Sequence, residues 1–503
     1  MNAHRGTTTS IRIALTLLVL ALLGTPALAE RKLFAMDTGT RDGQTKTYAQ
    51  QAKLVKDLGY SGIGYSGCSR IAEMLAAVDG EGIEFSPVYT GIQVKPGEIT
   101  HDPNLESAIT QLAGRDAIIW LYVGGKRPGE PARTDGPLVE KLRSLADHAA
   151  KSKVRIALYP HAGAYADRIE DCVRLASAVD RKNLGVTFNL CHWLKVDGTN
   201  LEERLKDALP HLFVVTVNGA NVGGKGWSTL IQPLDRGSFD VARVLRLLDK
   251  MEFKGLIGLQ HYGVGGPARE KLARSMEGWR TLQSRLAAKP VQLMPDGKLD
   301  AFKKAGAWTG LSEVRIDPDN PKKLIGKPGG GELLNGPSGR TGHLVSAQSF
   351  GDVEAHIEFM ISQKSNSGAY FMGRYEIQIY DSHGVEKDKY PGLECGGIYP
   401  RWIDNKNVEG HTPQVNVSRP AGEWQTFHVL FRAPRFDAAG KKTAKARFEK
   451  VWHNGSLIHE NLDLEGPTRG ATFGDEKATG PLMLQGDHGP IAFRNVWIAE
   501  LTE

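Results

Sequence analysis

Cysteine is scarce in this chain: Cys68, Cys172, Cys191 and Cys395 are the only four in 503 residues. None stands in a C-x-x-C spacing, which excludes the common zinc and dithiol redox motifs. A disulfide could form in an oxidising compartment, but nothing in the spacing pairs these residues, and separate buried or free thiols are the simpler expectation. A basic block is missing too. Lys and Arg number 63 against 57 Asp and Glu, a net charge of +6, and they are spread along the chain, so no nucleic-acid footprint forms. Beyond Glu30 no apolar run is long enough to cross a bilayer. No Gly-rich dinucleotide fingerprint follows the first strand-like run.

What is present starts with an export signature. Arg5 and Arg12 precede an apolar run from Ile13 to Leu23, followed by Gly24, Pro26 and the small-residue pattern Ala27-Leu28-Ala29. This reads as a secretory signal peptide over residues 1–29, cleaved after Ala29. An uncleaved anchor is the alternative, and the run is short for a span. The expected mature protein is periplasmic or secreted, with no membrane span after signal cleavage.

A chain of this length is too long for one ordinary core, so two domains are expected. Over residues 30–288 eight short apolar runs alternate with amphipathic stretches: Leu33–Met36, Gly62–Tyr65, Ile83–Val88, Ala117–Val123, Val154–Leu158, Leu184–Phe188, Leu212–Val217 and Leu256–Leu259. The runs lack polar alternation, as strands buried on both faces do. Between them Leu138, Leu142, Leu145 and Ala149, and again Val241, Val244, Leu245 and Leu248, fall on single helix faces. Eight such units predict a (β/α)8 TIM barrel; an open doubly wound sheet is the runner-up. Pro290, Pro295, Asp296 and Gly297 mark residues 289–300 as a linker. The period then changes to two: Val353, Ala355, Ile357, Phe359 and Ile361 alternate with other residues, as do Phe427, Val429 and Phe431, and Asn454-Gly455 is a hairpin turn. Residues 301–503 therefore predict an all-β sandwich of concanavalin-like jelly-roll type.

Within that second half, strand alternation puts Glu376 and Gln378 on one face and Tyr375, Ile377 and Ile379 on the other. A carboxylate beside an amide suits a sugar, one moving a proton and the other fixing a hydroxyl. Asp487-His488 lies on a Gly-flanked loop after an apolar strand, where an imidazole can be oriented and titrate near neutral pH. Arg374 and Arg494 could stabilise an anionic oxygen. The plainer readings are a solvated strand face for Glu376 and Gln378, a turn cap for His488, and a simple turn for Asn366-Ser367-Gly368.

A series of segments in fixed order resembles the 3-keto-disaccharide hydrolase family, also described as 3-keto-glucoside 1,2-lyases and 3-keto-glucal hydratases. It comprises Asn366-Ser367-Gly368, Arg374-Tyr375-Glu376-Ile377-Gln378, Gly396-Gly397-Ile398-Tyr399, Pro420-Ala421-Gly422-Glu423-Trp424, His453-Asn454-Gly455, and Leu484-Gln485-Gly486-Asp487-His488-Gly489 leading into Phe493-Arg494-Asn495. Gln425 departs from the family's usual Asn. The resemblance implies a lectin-like jelly roll acting on 3-keto-glycosides. The ketone at C3 acidifies the C2 hydrogen, a base removes it, the enolate expels the C1 substituent, and water adds back. Such chemistry needs a base, an acid and an oxyanion partner. Glu376 and His488 are the expected acid–base residues, with Asn366, Arg374, Gln378, Gln485 and Arg494 as sugar contacts. The competing reading is a lectin-like module that only docks carbohydrate, for which Trp402, Trp424 and Trp452 could supply platforms.

The first half resembles the xylose-isomerase-like barrels of sugar phosphate isomerases and epimerases, whose sites lie at the C-terminal strand ends. Those ends here are Tyr159-Pro160-His161, then Asn189-Leu190-Cys191-His192-Trp193, then Asn218, then Gln260-His261-Tyr262. The resemblance implies a divalent metal held by carboxylates on strands five, six and eight plus a histidine. The matching positions are Tyr159, Asn189 and Gln260, all neutral, which disfavours a Mg2+ or Mn2+ site of that kind. His161, His192 and His261 could bind a softer ion such as Zn2+, act as metal-free acid–base groups, or serve as hydrogen-bonding contacts together with Asn189 and Gln260. The combined expectation is an exported, carbohydrate-acting enzyme with a barrel that isomerises or hydrates a sugar.

Overall fold

The computed structural model describes residues 31–303, 306–336, 338–386 and 392–502, so the expected signal peptide lies outside the described residues. Eight parallel strands close a barrel in the first half: β1 (Phe34–Met36), β2 (Gly62–Ser66), β3 (Glu84–Lys95), β4 (Ile118–Gly124), β5 (Arg155–Tyr159), β6 (Leu184–Asn189), β7 (Leu212–Val217) and β8 (Leu256–Leu259). Strand β1 pairs with both β2 and β8, which closes the ring. One antiparallel strand, Glu98–His101, folds back on the extended β3. The strand side chains are buried almost throughout because helices cover the outside and side chains fill the inside, so the eight predicted apolar runs each fall on a strand. The predicted helix faces do so too: Leu138, Leu142, Leu145 and Ala149 lie on the buried side of helix Gly136–Lys151.

The second half is a sandwich of antiparallel sheets. The larger sheet carries the paired strands Val353–Ile361, Gln425–Arg432, Ala446–His453, Ser456–Leu464 and Ile491–Glu500. The smaller one runs Leu344–Val345, Met483–Leu484, Asn366–Phe371, Tyr375–Tyr380. Val353, Ala355, Ile357, Phe359 and Ile361 point inward, and with Phe427, Val429 and Phe431 they form the core against Ala369, Tyr375, Ile377 and Ile379. The turn Asn454-Gly455 has positive φ at both residues, 49° and 81°, a combination that favours this dipeptide. Within residues 289–300, Val291–Gln292 pair with the last strand and Leu293 and Met294 enter the sandwich core. All four cysteines are free and buried.

The outer face of the large sheet rests on the barrel through a buried ionic cluster. Arg285, at the end of helix Ala268–Ala287, donates to Asp240 at 2.7 and 3.1 Å and to Glu354 at 2.9 and 3.2 Å. Arg246 donates to both Glu354 oxygens at 3.0 Å, and His428 Nε2 lies 3.0 Å from the same carboxylate. Burial alone would raise the Glu354 pKa, but the His428 ring and the Arg285 guanidinium outweigh it and hold this carboxyl well below its usual range. Trp452 donates from Nε1 to the Ser238 carbonyl at 3.0 Å, and Lys450 to the Gly237 carbonyl at 2.8 Å. No helix among the described residues is long and apolar enough to cross a membrane.

Candidate functional site

Two regions gather chemistry. The first lies on the face of the small sheet turned away from the core. Hairpin register sets Tyr370 opposite Glu376 and Gly368 opposite Gln378. Gly368 is required by the carboxylate: a Cβ there would stand 2.1 Å from Glu376 Oε1. The Gln378 amide, turned so that its nitrogen donates, reaches the Ser367 carbonyl at 2.8 Å and Glu376 Oε1 at 3.2 Å. Glu376 Oε2 is buried without a partner. Burial raises the Glu376 pKa well above normal; the Tyr370 hydroxyl opposes the shift and the Asp487 charge adds to it. Glu376 is therefore no solvated strand residue, since only 2% of it is exposed.

Asp487 brings the Gly-flanked loop to this face. It accepts a hydrogen bond from His488 Nδ1 at 2.5 Å and lies 3.9 Å from His343 Nδ1. His488 is half exposed, and its link to Glu376 runs through Asp487. Asn366 begins the strand that carries Gly368 and Tyr370, and Gln485 is nearly buried beside it, its backbone N–H donating to the Gly368 carbonyl. Tyr399 stands close enough for the Glu376 charge to raise its pKa, though burial is the larger cause, and Arg469 counteracts both.

The two arginines expected here do other things. Arg374 is buried and committed: Nε and Nη2 bind the Asp475 carbonyl and carboxylate, and Nη1 donates to the Met372 carbonyl at 2.8 Å. Arg494 belongs to the other sheet. It pairs with Glu358 at 2.7 Å and Glu332 at 3.1 Å and covers the Trp424 ring at 4.0 Å. The reason is strand parity: Phe493 faces the core, so its neighbour faces out. Of the three tryptophan platforms, Trp452 is buried against the barrel and Trp424 is covered by Arg494; Trp402 is 47% exposed and lies beneath Arg469 at 3.9 Å. Gln425 is a buried tie, accepting from Arg419 N at 3.0 Å and paired with His453 at 2.9 Å. Tyr370, Tyr399, Arg469 and His343 escaped the sequence reading. Tyr370 was reachable, since a tight turn between Phe371 and Tyr375 sets it opposite Glu376.

The second region is the mouth of the barrel, a cavity of about 530 Å3. Tyr159 on β5 and Gln260 after β8 meet there, the amide donating to the phenol oxygen at 3.0 Å, and the Asn189 amide also interacts with that phenol. Cys191 Sγ donates to Asn189 Oδ1 at 3.2 Å. Of the three positions that would carry carboxylates, Tyr159 and Gln260 thus bind each other, while Asn189 Nδ2 is buried without a hydrogen-bond partner. His161 and His192 share the cavity wall with ring centroids 4.1 Å apart. His261 does not join them: it packs behind the barrel with Nε2 3.2 Å from the Ser275 hydroxyl, and a Cβ on Gly39 would meet its Cβ at 3.0 Å. The expected convergence of three imidazoles is therefore corrected to two. Among the described residues no group of three or more His, Cys, Asp or Glu side chains could hold a metal ion. The donor set does not fit the divalent metal that barrels of this type imply. Asp37, just beyond β1, is a buried carboxylate that the sequence reading missed; it accepts from the Ser66 hydroxyl at 2.7 Å and pairs with Arg41 at 3.0 Å.

The sequence of the first half, residues 52–282, matches the family of xylose isomerase-like TIM barrels. Residues 275–499 match the 3-keto-alpha-glucoside-1,2-lyase-like domain. Each of the two matches spans a little under half of the chain. No curated protein matches it. Among solved structures, a putative glycosyl hydrolase from Parabacteroides distasonis is 24% identical over 42% of this chain and 84% of its own, with a TM-score of 0.30. The apo form of 3-keto-D-glucoside 4-epimerase from E. coli is 16% identical over 50% of this chain and 99% of its own, TM-score 0.42. A xylose isomerase-like TIM barrel protein from Mycobacterium smegmatis in complex with magnesium is 19% identical over 51% and 97%, TM-score 0.38. The lyase-like domain and the isomerase-like barrel are both of carbohydrate-acting families.

Proposed function

We propose that the sandwich domain cleaves 3-keto-glycosides by elimination, with Glu376 as the base that removes the C2 proton. The C2–H bond breaks, its electrons form the C1=C2 bond, and the C1–O bond to the aglycone breaks as that oxygen takes a proton. Water then adds across the double bond, so the net result is hydrolysis. The observation that carries this reading is the buried Glu376 carboxyl, held by Gln378 and Tyr370 and facing Asp487. A desolvated carboxylate with a raised pKa is a stronger base toward an acidified C–H than one in water. Asp487 orients the His488 ring through Nδ1, which leaves Nε2 to exchange a proton with the leaving oxygen. Arg374 and Arg494 have no part in it, being held by other partners; Arg469, over the exposed Trp402 ring, is the guanidinium whose charge reaches Tyr399.

A lectin-like docking role would rest on open aromatic platforms, and burial of Glu376 with Gln378 favours catalysis instead. The barrel's share, rearranging or hydrating a sugar product, would have to run without a metal. Export through residues 1–29 belongs to the same proposal, and the secreted form is expected to begin at Glu30. The test is release of the alcohol from a 3-keto-glucoside by the mature chain. Glu376→Gln is expected to lower that rate by about 10²–10⁴-fold, and undiminished release by a folded variant would refute the assignment.

A further inference from the structure

The barrel mouth departs from the metal chemistry of its family in a way that specifies its own ligand. Its volume, about 530 Å3, falls within the range of about 300–1,000 Å3 usual for small-molecule sites. The wall is aromatic: Tyr89, Trp120, Tyr159 and Trp227 contribute rings, and no Asp, Glu, Lys or Arg lines it. The Lys195 ammonium, 5.6 Å from the Trp227 ring centre, donates to the Lys225 carbonyl at 2.6 Å and is not part of the wall.

The two histidines supply the polar part. One residue, Ala162, sets both tautomers. The Ala162 carbonyl can only accept, so His161 Nδ1, at 3.1 Å, carries its hydrogen and His161 Nε2 is a bare acceptor. The Ala162 N–H donates to His192 Nδ1 at 3.2 Å, so His192 carries its hydrogen on Nε2. An acceptor and a donor thus stand on adjacent rings, matched to a hydroxyl or a vicinal diol. Burial depresses both pKa values, that of His192 to about 3, so both rings are neutral at pH 7.

We propose that this cavity binds an uncharged monosaccharide without any metal, stacking the apolar face of the sugar on Trp227 and pairing its hydroxyls with His161 and His192. A sugar phosphate finds no cation there and is rejected, since a desolvated phosphate needs a charged partner. The site is separate from the Glu376 face and does not depend on it.

The full chain, treated with EDTA, would be titrated with D-glucose and with 3-keto-D-glucose while following tryptophan fluorescence. Saturable quenching by at least one sugar is expected, unchanged on adding Mg2+, Mn2+ or Zn2+ and retained in Glu376→Gln. Trp227→Ala, read by calorimetry because the variant lacks the reporter ring, is expected to abolish sugar binding and His192→Ala to weaken it at least tenfold, with circular dichroism checking the fold of each; Trp227 is 40% exposed and supports little core. D-glucose 6-phosphate is expected to bind at least tenfold more weakly than D-glucose. Quenching that appears only with a divalent cation, equal binding of the phosphate ester, unaltered binding by folded Trp227→Ala, or no response to either sugar would overturn the proposal.

Discussion

Replacing Glu376 by glutamine should separate stability from activity in opposite directions. The carboxyl is buried, its Oε2 has no hydrogen-bond partner, and Asp487 adds a second negative charge nearby. Because its pKa in the folded chain is raised, the folded state holds the proton more tightly than the unfolded state. Its contribution to stability is therefore fully present below the unfolded carboxyl value and is lost as pH rises through the folded value. The neutral amide removes that loss. An unsatisfied buried polar group costs about 1–3 kcal/mol, more when charged; the amide keeps a polar group there but not the charge, so Glu376→Gln is expected to be more stable than the parent at a pH above the folded carboxyl value. The difference should shrink as pH falls and the parent carboxyl takes up its proton. Urea unfolding at pH 5 and pH 8, run beside the alcohol-release assay, reads both effects. A variant that is slower yet gains no stability over the parent as pH rises would contradict a raised Glu376 value, and a variant that is both stable and fully active would remove it from the chemistry.

Arg285→Met leaves Glu354 and Asp240 buried without their main partner, and a broken buried pair costs about 3–5 kcal/mol; thermal unfolding should show a single large destabilisation, whereas a loss under about 1 kcal/mol would mean that water enters the cluster freely. Glu354 has a depressed folded pKa, so its contribution is present above the unfolded carboxyl value and lost as pH falls toward the folded one; an acid titration should find the parent losing stability more steeply below pH 5 than Glu354→Gln, and parallel curves would contradict the assignment. Arg494→Met should cost only about 0–1 kcal/mol for its half-exposed pairs and leave alcohol release unchanged; a fall in turnover of more than threefold would return Arg494 to the site.

The fold was legible because periodicity is a local property. Eight apolar runs without alternation, then alternation through Val353–Ile361, name a parallel barrel and an antiparallel sandwich with no knowledge of long-range contacts. Parity also placed Glu376 and Gln378 together, since both lie on one strand. It failed for Arg494, whose motif neighbour Phe493 faces the core of the opposite sheet. Proximity in a motif does not carry across two sheets. Arg374 and His261 failed for a different reason. Their side chains are claimed by Asp475 and Ser275, residues 101 and 14 positions away, and such partners are fixed only by the closed fold.

The histidine pair shows the limit most clearly. Sequence put three imidazoles at the ends of strands five, six and eight with equal standing, because strand position is all it can read. What distinguishes them is a single residue, Ala162, whose carbonyl and N–H hold His161 and His192 in complementary tautomers. His261 meets a helix hydroxyl instead. Two neutral rings with opposite hydrogen-bonding roles and no carboxylate between them make a poor cation site and a good hydroxyl site. Tyr159, Asn189 and Gln260 put no charge at this end of the barrel, and Gln260 donates to the Tyr159 phenol. The barrel keeps an open cavity whose wall carries an acceptor and a donor ring nitrogen on adjacent histidines, the pairing that a hydroxyl-rich, uncharged ligand can use.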